Sequence, residues 1–235
     1  PYMATALAAA AGPGPGVAEA EEMDRVLPAI AALRSRFELP ISVDTFRGRV
    51  AAEAFAAGAS VGNDISGFAD PTFLPACALH GAAVVATHVR IGPRVPDPEP
   101  IYGDVVADVR DFLVARVEMA RATGIPDERI MVDAGLDLGK TPAMSASLLR
   151  RTDGLVSIGL PVFLSASNKG FLGDLTGAGI DERVESSWAA HAQGTDLGGP
   201  IVRAHDGPGG RRVADAQGEG RAAGSRSHDG YGRAP

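Results

Sequence analysis

The sequence predicts an α/β fold, with a parallel barrel favoured over an open doubly wound sheet. Three observations carry that reading. Short β-branched runs alternate strictly with helical stretches. The strand segments are apolar on both faces, as strands sandwiched by helices must be. Each strand segment also ends in polar residues of chemical use, and a parallel α/β protein collects its strand C-termini at one mouth. An open sheet concentrates such groups at a switch point, whereas a barrel shows them all round its ring.

The elements follow in order. Residues 19–37 read as a helix, acidic at its start, with Met23, Val26, Leu27, Ile30 and Leu33 at helical spacing. ISVDT (41–45) is a strand, and 47–57 a helix that stops at Gly58. SVGNDISG (60–67) is a strand and turn, 71–79 a helix ending near Gly81, and AAVVATHV (82–89) a strand. After a Pro-rich loop (92–100) comes a long amphipathic helix over 102–123, stopped by Gly124. RIMVDAG (129–135) is a strand, 144–155 a helix and LPVFLSAS (160–167) a strand. A helix over 181–193 and a strand, PIVRAHD (200–206), complete the count of six strands.

The 235 residues suffice for one domain with a sizeable core. Three regions are expected: a poorly ordered segment at 1–16, a barrel domain at 17–206, and a disordered tail at 207–235. The first is Ala-rich and then alternates Gly and Pro. The tail has eight Gly and only Val213 as a large aliphatic, too little apolar surface to offset its ordering entropy. A net charge of −7 argues against nucleic acid as a partner. No apolar run approaches the ~20 residues of a membrane helix. No basic region precedes an apolar stretch as in a signal peptide. The single cysteine, Cys77, fits a reducing, cytoplasmic setting and reads as a small buried apolar residue.

Of 22 basic residues only Lys140 and Lys169 are lysine, and Asn63 and Asn168 are the only asparagines. Their scarcity follows from an Ala-, Gly- and Arg-rich composition, and it marks four positions to watch.

The strand ends carry Asp44-Thr45, Asn63-Asp64, His88 and Arg90, Asp133, Ser167-Asn168-Lys169, and Arg203, His205 and Asp206. Carboxylates and an Asn at one mouth suit a flat heterocycle rich in N–H donors, because a carboxylate matches an amidine-like edge bidentately. Arg203, His205 and Lys169 suit an anionic group such as phosphate. Plainer roles stand beside these: a helix cap at Asp44-Thr45, turn formation at Asn63-Asp64 and Asp206, a core histidine at His88, and surface positions for the lysines. A P-loop, GxGxxG after a strand, HExxH, CxxC and a nucleophile elbow are all missing from the sequence, so no metal site is expected from a motif.

Several stretches in register resemble the dihydropteroate synthase family: ISVDTFRGRVAAEAFAAGASVGNDISG, THVR, RIMVDAGLDLGKT, SASNKGFLG and IVRAHD, spanning about 19–206. DAGLDLGKT and SASNK look like a divergent second paralogue. The resemblance implies a TIM-type (β/α)8 barrel, incomplete, with six of eight β/α units. It implies a transferase of folate biosynthesis that condenses 6-hydroxymethyl-dihydropterin diphosphate with p-aminobenzoate, releases diphosphate and uses Mg²⁺. Asp44, Asn63, Asp133 and Lys169 then correspond to pterin-binding residues, with Lys169 and Asp133 in catalysis. Arg203 and His205 correspond to diphosphate anchors. A homodimer is a further implication. A catalytically inactive pterin- or phosphate-binding homologue and a pterin-dependent methyltransferase-type barrel are the alternatives. Lys169 with the Arg203/His205 pair favours a diphosphate-bearing substrate over a methyl carrier.

The sequence departs from the family at named places. Asp137 and Leu138 replace a Gly and a Phe, and Asn168 replaces an Arg. The family's first two strands, with an Asn-bearing loop linked to Mg²⁺ and a Gly-Glu-Ser-Thr-Arg-Pro-Gly loop, are not found. The strands beginning at Ile41 and Ile201 are therefore expected to be edges, or to be bridged by the N-terminal segment or a partner chain.

Overall fold

The computed structural model describes residues 4–7, 16–197 and 201–203, with side chains described for 16–197. Strand β1 (Ala4–Leu7) precedes helix α1 (Glu19–Arg34) and strand β2 (Ile41–Asp44). Then follow α2 (Gly48–Ala56), β3 (Val61–Asp64), α3 (Phe73–His80), β4 (Ala83–Thr87), α4 (Val105–Ala122) and β5 (Ile130–Asp133). The last third carries α5 (Pro142–Arg150), α6 (Asp153–Val156), β6 (Phe163–Ser165), α7 (Gly170–Thr176), α8 (Val184–Asp196) and β7 (Ile201–Arg203).

The strands run in chain order and all pair in parallel, β1 to β5 in one sheet and β6 with β7 in a second. A bridge from Val132 to Val162 ties β5 to the residue before β6. The fold is α/β of the barrel type.

Seven strands are described where six were expected. The segment 1–16, expected to be poorly ordered, supplies β1, which pairs with β2 from Ala4–Ile41 to Leu7–Asp44. Composition suggested disorder, but the exposed backbone of the Ile41 strand offers unpaired groups that a short Ala-rich run can satisfy. The N-terminal segment is thus the bridge at that edge. Two helical boundaries also differ. The expected helix over 144–155 is divided into α5 and α6, and α7 forms from a Gly-containing stretch whose seven residues show no clear period.

Local chemistry explains the long helices. α1 buries Glu22, Val26 and Ile30 on one face. α4 buries Val106, Val109, Leu113, Val117 and Ala120. The Asp104 side chain caps α4 by accepting from the Val106 and Ala107 amides at 2.9 and 3.1 Å. α5 starts with Thr141 as cap and Pro142 in its first turn.

Alternation along the strands divides the core. Val61, Val85 and Phe163 form a small cluster on the face away from the helices, between the two sheets, with Ala83 and Met131 packed on it. Ile41, Val43, Val84, Ala86, Ile130, Val132 and Leu164 belong to the larger core beneath the helices. Residues two positions along from the inner cluster share its face. That geometry selects which strand-end side chains look into the ring.

Candidate functional site

The inner face carries a polar wall at the C-terminal mouth. Asp44 on β2 is the register partner of Asn63 on β3, and Thr87 on β4 is the partner of Asp133 on β5. Parallel partners share a face. The Thr87 hydroxyl donates to Asn63 Oδ1 at 3.4 Å, joining the two pairs into one row. Asp44, Asn63, Thr87 and Asp133 are all buried. Asp133 Oδ1 accepts from the Gly135 amide at 2.7 Å, and the Asp133 carbonyl accepts from the His88 amide at 2.9 Å. A row of buried acceptors from four adjacent strands can take the N–H edge of a planar heterocycle.

The adjoining residues turn the other way. Asp64 is fully buried on the helix side of β3, where its carboxylate accepts from the Ser66 and Phe68 amides at 2.6 and 3.0 Å. Burial raises its carboxyl to about 6, against the pull of those hydrogen bonds. Asp64 is thus a turn former and Asn63 a wall residue, which resolves the paired readings of that dipeptide. Asp44-Thr45 does not cap α2, because Asp70 accepts from the Gly48 amide at 2.7 Å. Thr45 instead donates to Glu22 at 2.5 Å.

His88 is buried, with its ring edge-on to Phe112 at 4.7 Å between centroids. Lys140 is only 8% exposed. Its ammonium Nζ lies 2.8 Å from His88 Nδ1 and donates to the Gly135 and Leu138 carbonyls at 2.9 Å each. Burial lowers Lys140 to about 7, and Lys169 lowers it further, while Asp133 and Asp137 oppose the shift. Burial and the neighbouring Lys140 charge push His88 down to about 3, so the imidazole is neutral at pH 7 and its Nδ1 can accept.

Lys169 stands at the N-cap of α7, partly buried, with its amide bonded to Ala166 O at 3.3 Å. Arg183 holds this loop from outside by donating to the Asn168 and Lys169 carbonyls at 3.3 Å each. Ser187 Oγ accepts from the Asn168 amide at 3.1 Å. Asn168 itself takes a left-handed backbone, φ 54. Asp137, also left-handed at φ 67, ties its loop to α5 and α7. Its carboxylate accepts from the Phe171 amide and the Ser145 hydroxyl at 3.3 Å each. A cavity of about 280 Å³ opens beside it, lined by residues including Ile65, Val89, Arg94, Asp137 and Lys140.

The structure therefore brings Asp44, Asn63 and Asp133 onto one face. Arg203 pairs in register with Ser165, and its side chain lies outside the described residues, as do His205 and Asp206. Sequence reasoning missed Thr87, Arg183, Ser187 and Glu22. Thr87 ends a strand and was legible in principle; the other three act from helices across the chain and leave no local signal.

Among the described residues, no three His, Cys, Asp or Glu side chains converge to hold a metal ion. The acceptors of the wall lie on separate strands, and the described donor set does not assemble a centre for a divalent cation. Among the described residues, no helix is long and apolar enough to cross a membrane.

Comparison with known proteins places this geometry. The family model described as pterin binding enzyme matches residues 8–205. The dihydropteroate synthase of Synechocystis is 37% identical over 188 residues, covering 79% of this chain. The chain spans 65% of that relative's length. The "inactive dihydropteroate synthase 2" of Mycobacterium leprae is 40% identical over 202 residues, covering 83% of this chain and 69% of the relative. Among solved structures, the Yersinia pestis dihydropteroate synthase in a sulfonamide drug complex superposes with a TM-score of 0.83 at 32% identity, covering 87% of this chain and 74% of that one. The Thermus thermophilus enzyme in complex with 4-aminobenzoate gives 0.82 at 35% identity, covering 87% and 78%. With its parallel strands in chain order, its buried acceptor wall and a family match across nearly the whole described region, this chain belongs to the dihydropteroate synthase family of pterin-binding enzymes.

Proposed function

We propose that the chain binds a reduced pterin diphosphate on the wall of Asp44, Asn63 and Asp133 and condenses it with p-aminobenzoate, releasing diphosphate. The observation that carries this reading is the single inward face shared by those three acceptors: Asp44 and Asn63 are register partners, and Asp133, the partner of Thr87, lies two residues further along on the same face. The carboxylates accept the pterin's ring and amino N–H groups, which fixes the heterocycle and orients its exocyclic methylene. Lys169, partly buried at the N-cap of α7, supplies a cation for the pterin diphosphate. Arg203, which ends β7, and His205, two positions on in the sequence, anchor the diphosphate.

In the reaction, the arylamine nitrogen forms a bond to the methylene carbon as the carbon–oxygen bond to diphosphate breaks. The bonding pair leaves with the diphosphate, and the amine gives up one proton. Cationic character that develops on the pterin is met by Asp133 and Asp44, and the leaving anion by the Arg203, His205 and Lys169 charges. Mg²⁺, the family's metal, has no residue set among those described, and no step is assigned to it.

A second reading, a pterin-binding homologue without turnover, is favoured by one observation. Asp137 stands where the family carries Gly, and its carboxylate ties its own loop to α5 and α7. The likeness to a relative named inactive agrees with it. A cytoplasmic setting is supported by the lone buried Cys77. A homodimer is supported by the exposed apolar row Ile180, Val184 and Trp188, four residues apart leading into and along α8.

Diphosphate release, measured with the pterin diphosphate and p-aminobenzoate beside calorimetric binding of the pterin, separates the readings. Release with turnover is expected of the synthase. Binding without release establishes the second reading, and absence of pterin binding overturns both.

A further inference from the structure

Lys140 is one of only two lysines in the chain, and it is buried at the mouth without a place in the pterin wall. Its ammonium closes a hydrogen-bonded ring. Lys140 Nζ donates to His88 Nδ1 at 2.8 Å, and the His88 amide donates to the Asp133 carbonyl at 2.9 Å. Asp133 Oδ1 accepts from the Gly135 amide at 2.7 Å, and the Gly135 carbonyl accepts from Lys140 Nζ at 2.9 Å. Every step is a hydrogen bond, and the ring passes through both the backbone and the side chain of Asp133.

The surroundings enforce this arrangement. Gly135 has φ +62, and a Cβ there would meet the His88 carbonyl oxygen at 2.0 Å, so the turn crosses β4 at the closest approach a backbone allows. The Leu138 carbonyl takes a further Lys140 hydrogen bond at 2.9 Å, and the Tyr102 hydroxyl ties Gly139 O at 2.8 Å. Three acceptors match the three donors of an ammonium. Carbonyl dipoles at Gly135 and Leu138 and the neutral imidazole face Lys140, with Asp133, Asp137 and Lys169 as the charged groups around it. The hydrogen bond that holds the Gly135 carbonyl fixes the left-handed turn, and that same turn aims the Gly135 amide at Asp133 Oδ1.

We propose that Lys140 is a positioning residue that sets the Asp133 carboxylate through the Gly135 turn and His88. The proposal rests on the reading of Asp133 as a pterin acceptor, and its test is built to fail separately from that reading.

Two measurements test it. First, the isotope-labelled Gly135 amide resonance is followed in the parent and in Lys140→Met. The resonance is expected to shift, because the turn that aims the amide at Asp133 loses its anchor. Second, affinity for 6-hydroxymethyl-dihydropterin diphosphate is measured by calorimetry in a double-mutant cycle with Asp133→Asn. Lys140→Met is expected to weaken binding about tenfold in the parent and less than about twofold when Asp133 is already Asn. His88→Phe, which keeps an aromatic ring against Phe112 but removes the Nδ1 acceptor, is expected to shift the same amide. An unmoved Gly135 resonance, or equal losses in both backgrounds, overturns the proposal, as does loss of fold in both variants, since that makes Lys140 a general structural residue. A parent chain that binds no pterin overturns the proposed function, while the amide measurement still decides the role of Lys140.

Discussion

The Thr45 hydroxyl donates to the Glu22 carboxylate at 2.5 Å, joining the first turn of α1 to the loop that leaves β2. Arg47 pairs with the other carboxylate oxygen and also donates to Val17 O at 2.7 Å. Glu22 is fully buried, so this cluster sets the helix against the strand that carries Asp44. Removing one partner of a buried pair leaves the others unsatisfied. Glu22→Ala is expected to cost about 3 kcal/mol. A lower denaturant midpoint with an unchanged slope would bear this out, and a midpoint equal to the parent's would refute it.

Gly135 and Gly124 separate backbone strain from close approach. Both have positive φ, +62 and +86, but a Cβ at Gly124 meets nothing within 4 Å. Gly124→Ala is expected to cost about 1 kcal/mol, the strain alone. Gly135→Ala adds a collision with the His88 carbonyl and should cost upward of roughly 3 kcal/mol. Equal thermal shifts for the two variants would show that the turn is looser than its geometry indicates.

Asp64 makes stability depend on pH in an unusual direction for a carboxylate. Burial raises it from 3.8 to about 6, so the folded chain holds a proton that the unfolded chain has released. Its contribution is full below the unfolded value of 3.8 and is lost as pH rises through about 6. His88 acts oppositely: its depressed value gives a contribution present above 6.5 and lost as pH falls through about 3. The two windows overlap, so the difference between the parent and Asp64→Asn isolates the carboxyl. That difference should change by up to about 3 kcal/mol across the window. Parallel stability curves for parent and variant would rule out the buried proton.

Lys169 and Arg183 test the cation side of the site. Lys169→Ala is expected to abolish detectable pterin binding with little change in melting temperature, since the side chain is only partly buried. Arg183→Ala leaves Lys169 in the chain but removes the donors to the Asn168 and Lys169 carbonyls. A loss of about tenfold in pterin affinity is expected, less than the worth of one charge-assisted bond, because the lost bonds act on the loop and only in part on the ligand. Unchanged affinity in Lys169→Ala would reject the proposed site.

Much of this was legible in the primary structure, and for definite reasons. The helices over Glu19–Arg34 and Val105–Ala122 bury residues at spacings that a reader can count. Asp44, Asn63 and Asp133 close β-branched runs, and strand ends in a parallel fold share one mouth. The Ala4–Leu7 strand was not legible, because its pairing depends on an open edge at Ile41 rather than on its own side chains. Nor was α7, whose seven residues are too few for a period to show.

By itself, the sequence determined the alternation of strands and helices and the delivery of acceptors and cations to the strand ends. Those are local properties, set by periods of two and 3.6 residues. Only the tertiary structure decided that Asn63 faces the ring while its neighbour Asp64 faces the helices, because the inner face is defined by strands from the rest of the ring. It also decided the fate of Lys140. An ammonium is tolerated in the interior only where acceptors surround it, and one of the three here, His88, is 52 residues away in the chain.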